Sequence, residues 1–214
     1  MNGLIFITHQ TEKYTHIQSA MIALQGGCKH IQLRAKDFPR LDIVKMMHIL
    51  QMLCNEYNAN LYIDDHVEIC KAMNATGVHL GKTDMPPAEA RKILGKYSVI
   101  GGTANTFDDI VALHQAGVDY IGLGPFRFTE TKKNLSPLLG FDGYTKILQQ
   151  CRAHNIVLPI FAIGGITKND IPALMKTGVA GVALSSAILR AQNPVEMVKN
   201  VMNAVGAEYF PPLT

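Results

Sequence analysis

The chain has 214 residues, 48% of them apolar and 17% charged, which is enough for one sizeable domain, and no apolar run reaches the roughly 18 residues of a membrane span. Its 20 basic and 17 acidic residues leave a formal charge of +3 spread along the chain, far short of the clustered positive face used to bind nucleic acid. The opening residues Met1 to Gln10 carry neither a basic n-region nor a long hydrophobic segment, and no two of Cys28, Cys54, Cys70 and Cys151 form a C-x-x-C pair. The expectation is a cytoplasmic protein with reduced thiols, without a zinc or dithiol centre.

Short aliphatic or β-branched runs recur at Leu4–Ile7, His30–Leu33, Asn60–Ile63, Gly77–Leu80, Ser98–Gly101, Tyr120–Leu123, Pro159–Ile163 and Gly181–Leu184, all but the second followed by Gly, Asp, Thr or Ser. Helical spacing lies between them, as in Ile17, Ala20, Met21 and Leu24, or Ile43, Met46, Met47 and Leu50. Strand alternates with helix, and about 27 residues per unit suits a lean barrel. Gly27, Asn74, Gly117 and Gly178 each stand where a helix should stop, four and six residues before apolar strand positions. Glycine and asparagine take the left-handed conformation that ends helices, so these four are the entries to strands 2, 4, 6 and 8. Paired βα units repeated four times favour one α/β domain over residues 1–214, a (β/α)8 TIM barrel, over an open doubly wound sheet.

Ligands of such barrels lie at the carboxyl ends of the strands. There the second strand offers Gln32, Arg34 and Lys36, placed by alternation on the face away from Leu33 and suited to an anion. A solvated strand end with Asp37 as counter-ion is the rival reading. The third ends in Asp64-Asp65-His66, and the loop after the fourth carries Asp84. Two carboxylates on neighbouring strand ends suit a hard cation bridging to phosphate, but each residue taken singly reads better as a helix cap, at Val67 or before Pro86-Pro87. His66 reads as a polar helix-start residue. The long segment Pro125–Gly140 has the length of an ordered lid, with hydroxyls and adjacent lysines for phosphate oxygens. Gly164-Gly165 and Ser185-Ser186 close the last two strands, where these barrels hold phosphate.

Taken together, Gln32-Leu33-Arg34-Ala35-Lys36, Asp64-Asp65, Gly77 to Met85, Asp119 to Pro125, Thr129-Glu130-Thr131-Lys132, Ala162 to Ile166 and Ser185 to Ile188 resemble the thiamine-phosphate synthase family over nearly the whole chain. That resemblance implies a transferase joining a pyrimidine diphosphate to a thiazole phosphate, or to its carboxylated form, with Mg²⁺ held by Asp65 and Asp84 rather than capping by them. It implies that Gln32, Leu33, Arg34, Ala35, Lys36, Asp64, Thr103 and Lys132 meet the pyrimidine diphosphate, with Arg34, Lys36 and Lys132 catalytic. Thr129, Glu130, Thr131, Gly165, Ser185 and Ser186 would meet the thiazole phosphate. The partners implied are these small molecules, with neither nucleic acid nor membrane, and self-association into a homo-oligomer is compatible with the chain. Two positions depart from the family pattern. Asp64 stands where Asn is usual, and an expected pairing with Lys36 would offset its charge. Thr103-Ala104-Asn105 replaces Ser-x-His, and threonine keeps the hydroxyl. A related thiazole tautomerase relies on a histidine where this chain has Pro125. A non-catalytic phosphate-binding regulator would not need a full diphosphate and metal set, and a sugar-phosphate isomerase or decarboxylase would not need the Gln32–Lys36 block.

Overall fold

The computed structural model describes residues 3–128 and 137–206. Eight strands alternate with helices: β1 (Gly3–Ile7), α1 (His16–Gln25), β2 (His30–Leu33), α2 (Arg40–Glu56), β3 (Asn60–Asp64), α3 (Val67–Ala72), β4 (Gly77–Leu80), α4 (Pro87–Leu94), β5 (Val99–Ala104), α5 (Phe107–Gln115), β6 (Tyr120–Leu123), α6 (Gly140–Ala153), β7 (Ile160–Ile163), α7 (Ile171–Thr177), β8 (Gly181–Leu184), α8 (Ser186–Leu189) and α9 (Pro194–Ala204). All neighbouring strands pair in parallel, and β8 returns to β1 through Leu4 and Val182, closing the barrel in sequence order. The (β/α)8 expectation therefore holds, with every expected strand present.

Local chemistry explains the punctuation. Thr15 and Thr106 form capping boxes at the starts of α1 and α5, and a proline sits in the first turn of α4. At the other ends, Gly27, Asn74, Gly117 and Gly178 have φ of 93°, 49°, 75° and 101°. The intervening joints behave alike, with Asn58 at 52°, Gly95 at 82° and Asn155 at 56°. The repeat is therefore of single βα units, not of pairs. The four-fold reading arose because only the even joints share one spacing to the next strand.

Two strands run further at their carboxyl ends than the sequence pattern indicates. β5 continues through Gly102-Thr103-Ala104, where glycines hid the strand signal. They are there for space: a Cβ on Gly101 would lie 2.2 Å from the Tyr120 ring, and one on Gly102 would lie 2.5 Å from Leu113. β3 includes Asp64, so that residue belongs to the sheet and cannot cap the helix after it.

Burial divides into two layers. A large cluster of Leu, Ile, Val and Ala side chains, among them Leu33, Ile63, Val78, Ile121 and Val182, fills the space between sheet and helices. Inside the barrel Ile5, Tyr120, Phe161 and Ala183 form a second, smaller cluster. Each large apolar side chain so buried contributes about 1.5–3 kcal/mol before entropy is counted. The inner layer also floors the space above it, where the carboxyl ends of the strands open.

Candidate active site

A cavity of about 1190 Å³ opens at those strand ends, lined among others by Gln32, Arg34, Lys36, Asp64, Asp65 and Thr103. A smaller one of about 120 Å³ adjoins it at the ends of β7 and β8, lined by Gly164, Gly165, Ser185 and Ser186. Arg34, His9 and Ser186 border both cavities, so a ligand in one lies beside a ligand in the other.

The wall at β2 and β3 is built by alternation. Gln32 faces inward at 3% exposure, and its Nε2 donates to Oδ1 of Asp64 at 2.6 Å. Arg34 Nε lies 3.9 Å from Asp64 Oδ2. Burial and the charge of Asp65 beside it push the Asp64 carboxyl up to about 7, against the Gln32 bond and the charge of Arg34. Lys36 does not serve Asp64 directly. Its Nζ sits 2.8 Å from Asp65 and 3.8 Å from Asp84, so the expected pairing of Lys36 with Asp64 is replaced by Gln32 and Arg34. No ion pair joins Asp37 to either base among the described residues, where Arg34 and Lys36 turn to Asp64, Asp65 and Asp84 instead.

Asp65 and Asp84 converge on Lys36. Burial and Asp84 raise Asp65 to about 6, whereas Asp84 is held low, against its own burial, by Asp65, the Gly81 N–H at 2.6 Å and Lys36. The pair thus behaves as two carboxylates short of one positive charge. Neither caps a helix: His66 precedes α3 and Pro86 precedes α4 in the cap positions, both without a side-chain cap. Asp65 itself has φ of 65°, a left-handed turn that re-aims the chain at the strand end.

Across the floor, His79 bridges two elements. Its Nδ1 lies 3.0 Å from the Tyr120 hydroxyl and its Nε2 2.9 Å from Thr103 Oγ1. Thr103 is therefore brought to the cavity as expected, but by a histidine and a tyrosine that side-chain pattern alone did not single out. Period-two alternation marks both as inward-facing; their polarity in an apolar layer was the available signal. Asn105 Nδ2 donates to the Gly124 carbonyl, tying β5 to β6.

At β7 and β8, Gly164 and Gly165 have φ of 84° and 69°, a conformation that glycine alone adopts without strain. Ser185 Oγ is buried there without a hydrogen-bond partner among the described residues. A buried hydroxyl left unpaired beside a cavity is a seat for an acceptor-rich ligand. Thr8 Oγ1 accepts from the Arg34 N–H at 3.2 Å and contacts His16 Nδ1 at 2.8 Å, fixing the backbone from which Arg34 projects. Burial lowers His16 to about 4, so it is neutral near pH 7.

Leu33 and Ala35 do not reach a ligand with their side chains; both are buried in the layer beneath the helices. Thr129, Glu130, Thr131 and Lys132, with most of the expected lid, lie outside the described residues.

A sequence model described as thiamine monophosphate synthase matches residues 4–188. The chain belongs to the thiamine monophosphate synthase family. The thiamine-phosphate synthase of Bacteroides thetaiotaomicron is 55% identical over 95% of this chain and 97% of its own. That of Phocaeicola vulgatus is 58% identical over 94% and 96%. The thiamine phosphate pyrophosphorylase of Pyrococcus furiosus superposes with a TM-score of 0.83 at 30% identity, covering 95% of each chain. The barrel is thus shared with a solved relative, and the chain is an enzyme of the transferase class. Among the described residues no helix is long and apolar enough to cross a membrane.

Proposed function

We propose that this chain condenses 4-amino-2-methyl-5-hydroxymethylpyrimidine diphosphate with 4-methyl-5-(2-hydroxyethyl)thiazole phosphate, giving thiamine phosphate and pyrophosphate. The observation that carries the reading is the pair of adjoining cavities with Arg34 on their shared border. The larger suits a diphosphate, with Arg34 as a cation beside Asp64 and Lys36 beside the Asp65–Asp84 pair. The smaller suits a single phosphate, with the Gly165 turn, Ser186 and the unpaired Ser185 hydroxyl. Gln32, Asp64 and Thr103, which line the larger cavity with Tyr120 and Phe161, would hold the pyrimidine ring.

Asp65 and Asp84 fit Mg²⁺. That ion is usually held by one or two carboxylates with the rest of its shell from water and substrate phosphate, and a carboxylate pair lacking one positive charge invites it. Among the described residues no cluster of three or more acidic, histidine or cysteine ligands exists. When bound, it would neutralise charge on the departing pyrophosphate.

The chain's own residues have the remaining tasks. Arg34 and Lys36 stabilise the diphosphate as its C–O bond to the methylene carbon breaks and the electron pair leaves with pyrophosphate. The electron-rich aminopyrimidine spreads the resulting positive charge. The thiazole nitrogen then donates its lone pair to form the C–N bond, with the phosphate anchored at Gly165, Ser185 and Ser186. No protein nucleophile is required. Lys132 would add a third cation, and Thr129, Glu130 and Thr131 further contacts to the thiazole phosphate. Pro125 offers no acid or base for a tautomerase. Incubation of the protein with both substrates and Mg²⁺ should yield thiamine phosphate and pyrophosphate. Asp65→Ala and Asp84→Ala should each lower turnover by roughly two orders of magnitude or more with the fold intact. Full turnover in a chelator, or in the double variant, refutes the metal role.

A further inference from the structure

Arg127 and Asp170 line neither cavity, yet they meet directly behind the smaller one. Arg127 Nη1 and Nη2 donate to Oδ2 and Oδ1 of Asp170, both at 2.5 Å. This is the two-bond fork in which a guanidinium fixes a carboxylate in plane as well as in distance. Asp170 is 9% exposed in its side chain, and its Oδ2 also accepts from Thr167 N–H at 2.8 Å and from Thr167 Oγ1 at 2.7 Å. On the other side, the Arg127 guanidinium stacks 4.5 Å above the Phe126 ring, and Nη1 donates to the Gly165 carbonyl at 3.3 Å.

Both residues bracket the Gly164–Gly165 turn. Phe126 N–H and Arg127 N–H donate to the Gly164 carbonyl, each at 3.0 Å, tying the exit of β6 to the exit of β7. A Cβ on Gly165 would lie 2.8 Å from Arg127 Cβ, so the arginine backbone rests against the turn. Thr167 and Asp170 lie two and five residues after Gly165 in sequence. Two successive glycines in left-handed conformation are the freest backbone in a chain, and a turn of that kind presents its N–H groups to an anion only if something external holds it.

We propose that Arg127 and Asp170 are positioning residues for the thiazole phosphate: their ion pair clamps the Gly164–Gly165 turn from both sides. The proposal rests on the reading of Gly165, Ser185 and Ser186 as the phosphate seat. Loss of the fork lets the turn move, and a displacement of about 1 Å at a binding group can cost as much as roughly a hundredfold in rate.

The test is steady-state kinetics with both substrates varied separately, together with melting temperatures. Arg127→Lys, which keeps the charge but not the fork, and Asp170→Asn should raise KM for the thiazole phosphate by about tenfold. KM for the pyrimidine diphosphate should stay within about twofold. Thr167→Val, which removes one hydroxyl donor from Asp170 and is the mildest of the set, should shift the same constant in the same direction by less. A pair with a purely structural role would instead lower the melting temperature and move both constants together, or neither, and that pattern overturns the proposal. Ser185→Ala separates the two layers of inference. If it leaves the thiazole phosphate KM unchanged, the phosphate seat is elsewhere and the proposal falls with it. If it raises that KM while Arg127→Lys and Asp170→Asn do not, the seat stands and the positioning role is refuted.

Discussion

Asp64 sits in the sheet at 6% exposure with one hydrogen bond from Gln32 and a guanidinium nitrogen 3.9 Å away, and burial moves its carboxyl from 3.8 up to about 7. A carboxyl whose pKa rises on folding is bound to its proton more tightly in the folded chain. Its contribution is therefore complete below pH 4 and is lost as pH climbs towards 7. The shift spans about three units, at 1.36 kcal/mol each, so ionised Asp64 costs the empty protein about 4 kcal/mol above neutrality. Asp64→Asn keeps an oxygen for Gln32 but turns a charged hydrogen bond into a neutral one, which offsets part of the relief and leaves about 2 kcal/mol. For a chain of this size that is a rise of roughly 5 °C in melting temperature at pH 8, against almost none at pH 4. Thermal denaturation without substrates at the two pH values measures it. The same variant should raise KM for the pyrimidine diphosphate above pH 7 if, as proposed, the carboxylate accepts from the pyrimidine amino group. Equal melting temperatures at pH 8, or a gain that persists at pH 4, refutes the electrostatic argument; a KM at or below the wild-type value refutes the contact.

Gly101→Ala would place a methyl carbon 2.2 Å from the Tyr120 ring. It should displace that ring from His79 and lower kcat while also lowering the melting temperature, and an unchanged kcat would exclude the His79–Tyr120–Thr103 bridge from the chemistry. His16, lowered to about 4 by burial first and then by His9 and Arg34, favours the folded state only when neutral. Acid should therefore remove stability as pH falls from 6.5 towards 4, and His16→Gln should flatten that part of the curve when melting temperature is followed against pH.

The barrel was legible because its signals are local. Eight short apolar runs and their left-handed closers depend only on neighbours in sequence, so Gly27, Asn74, Gly117 and Gly178 could be identified in advance. The joints at Asn58, Gly95 and Asn155 escaped because their spacing to the next strand differs. The site was legible where residues cluster along the chain, as at Gln32–Lys36, Asp64–Asp65 and Ser185–Ser186. It was hidden where it is assembled from distant turns. Nothing in sequence shows that Lys36 turns to Asp84 across two strands, that His79 lies between Tyr120 and Thr103, or that Arg127 finds Asp170. Leu33 and Ala35 matched the family motif, yet alternation turns their side chains away.

The left-handed residues that close every helix-to-strand joint from Gly27 to Gly178 all lie at one rim, the end opposite the cavities. Each unit is thereby halted by its own residue, independently of how the far rim is wired. The connections on the far rim are free to change length: from Leu123 to Gly140 one is already long, whereas Ser186 begins α8 almost at once after Leu184. Because closing a flexible loop becomes only about 0.6 kcal/mol harder with each doubling of its length, grafts of new sequence at the far rim should leave the barrel standing. The same graft at the near rim would erase a stop signal and shift a strand's register by a residue or more. Directed libraries for altered substrates therefore belong on one side of this molecule only.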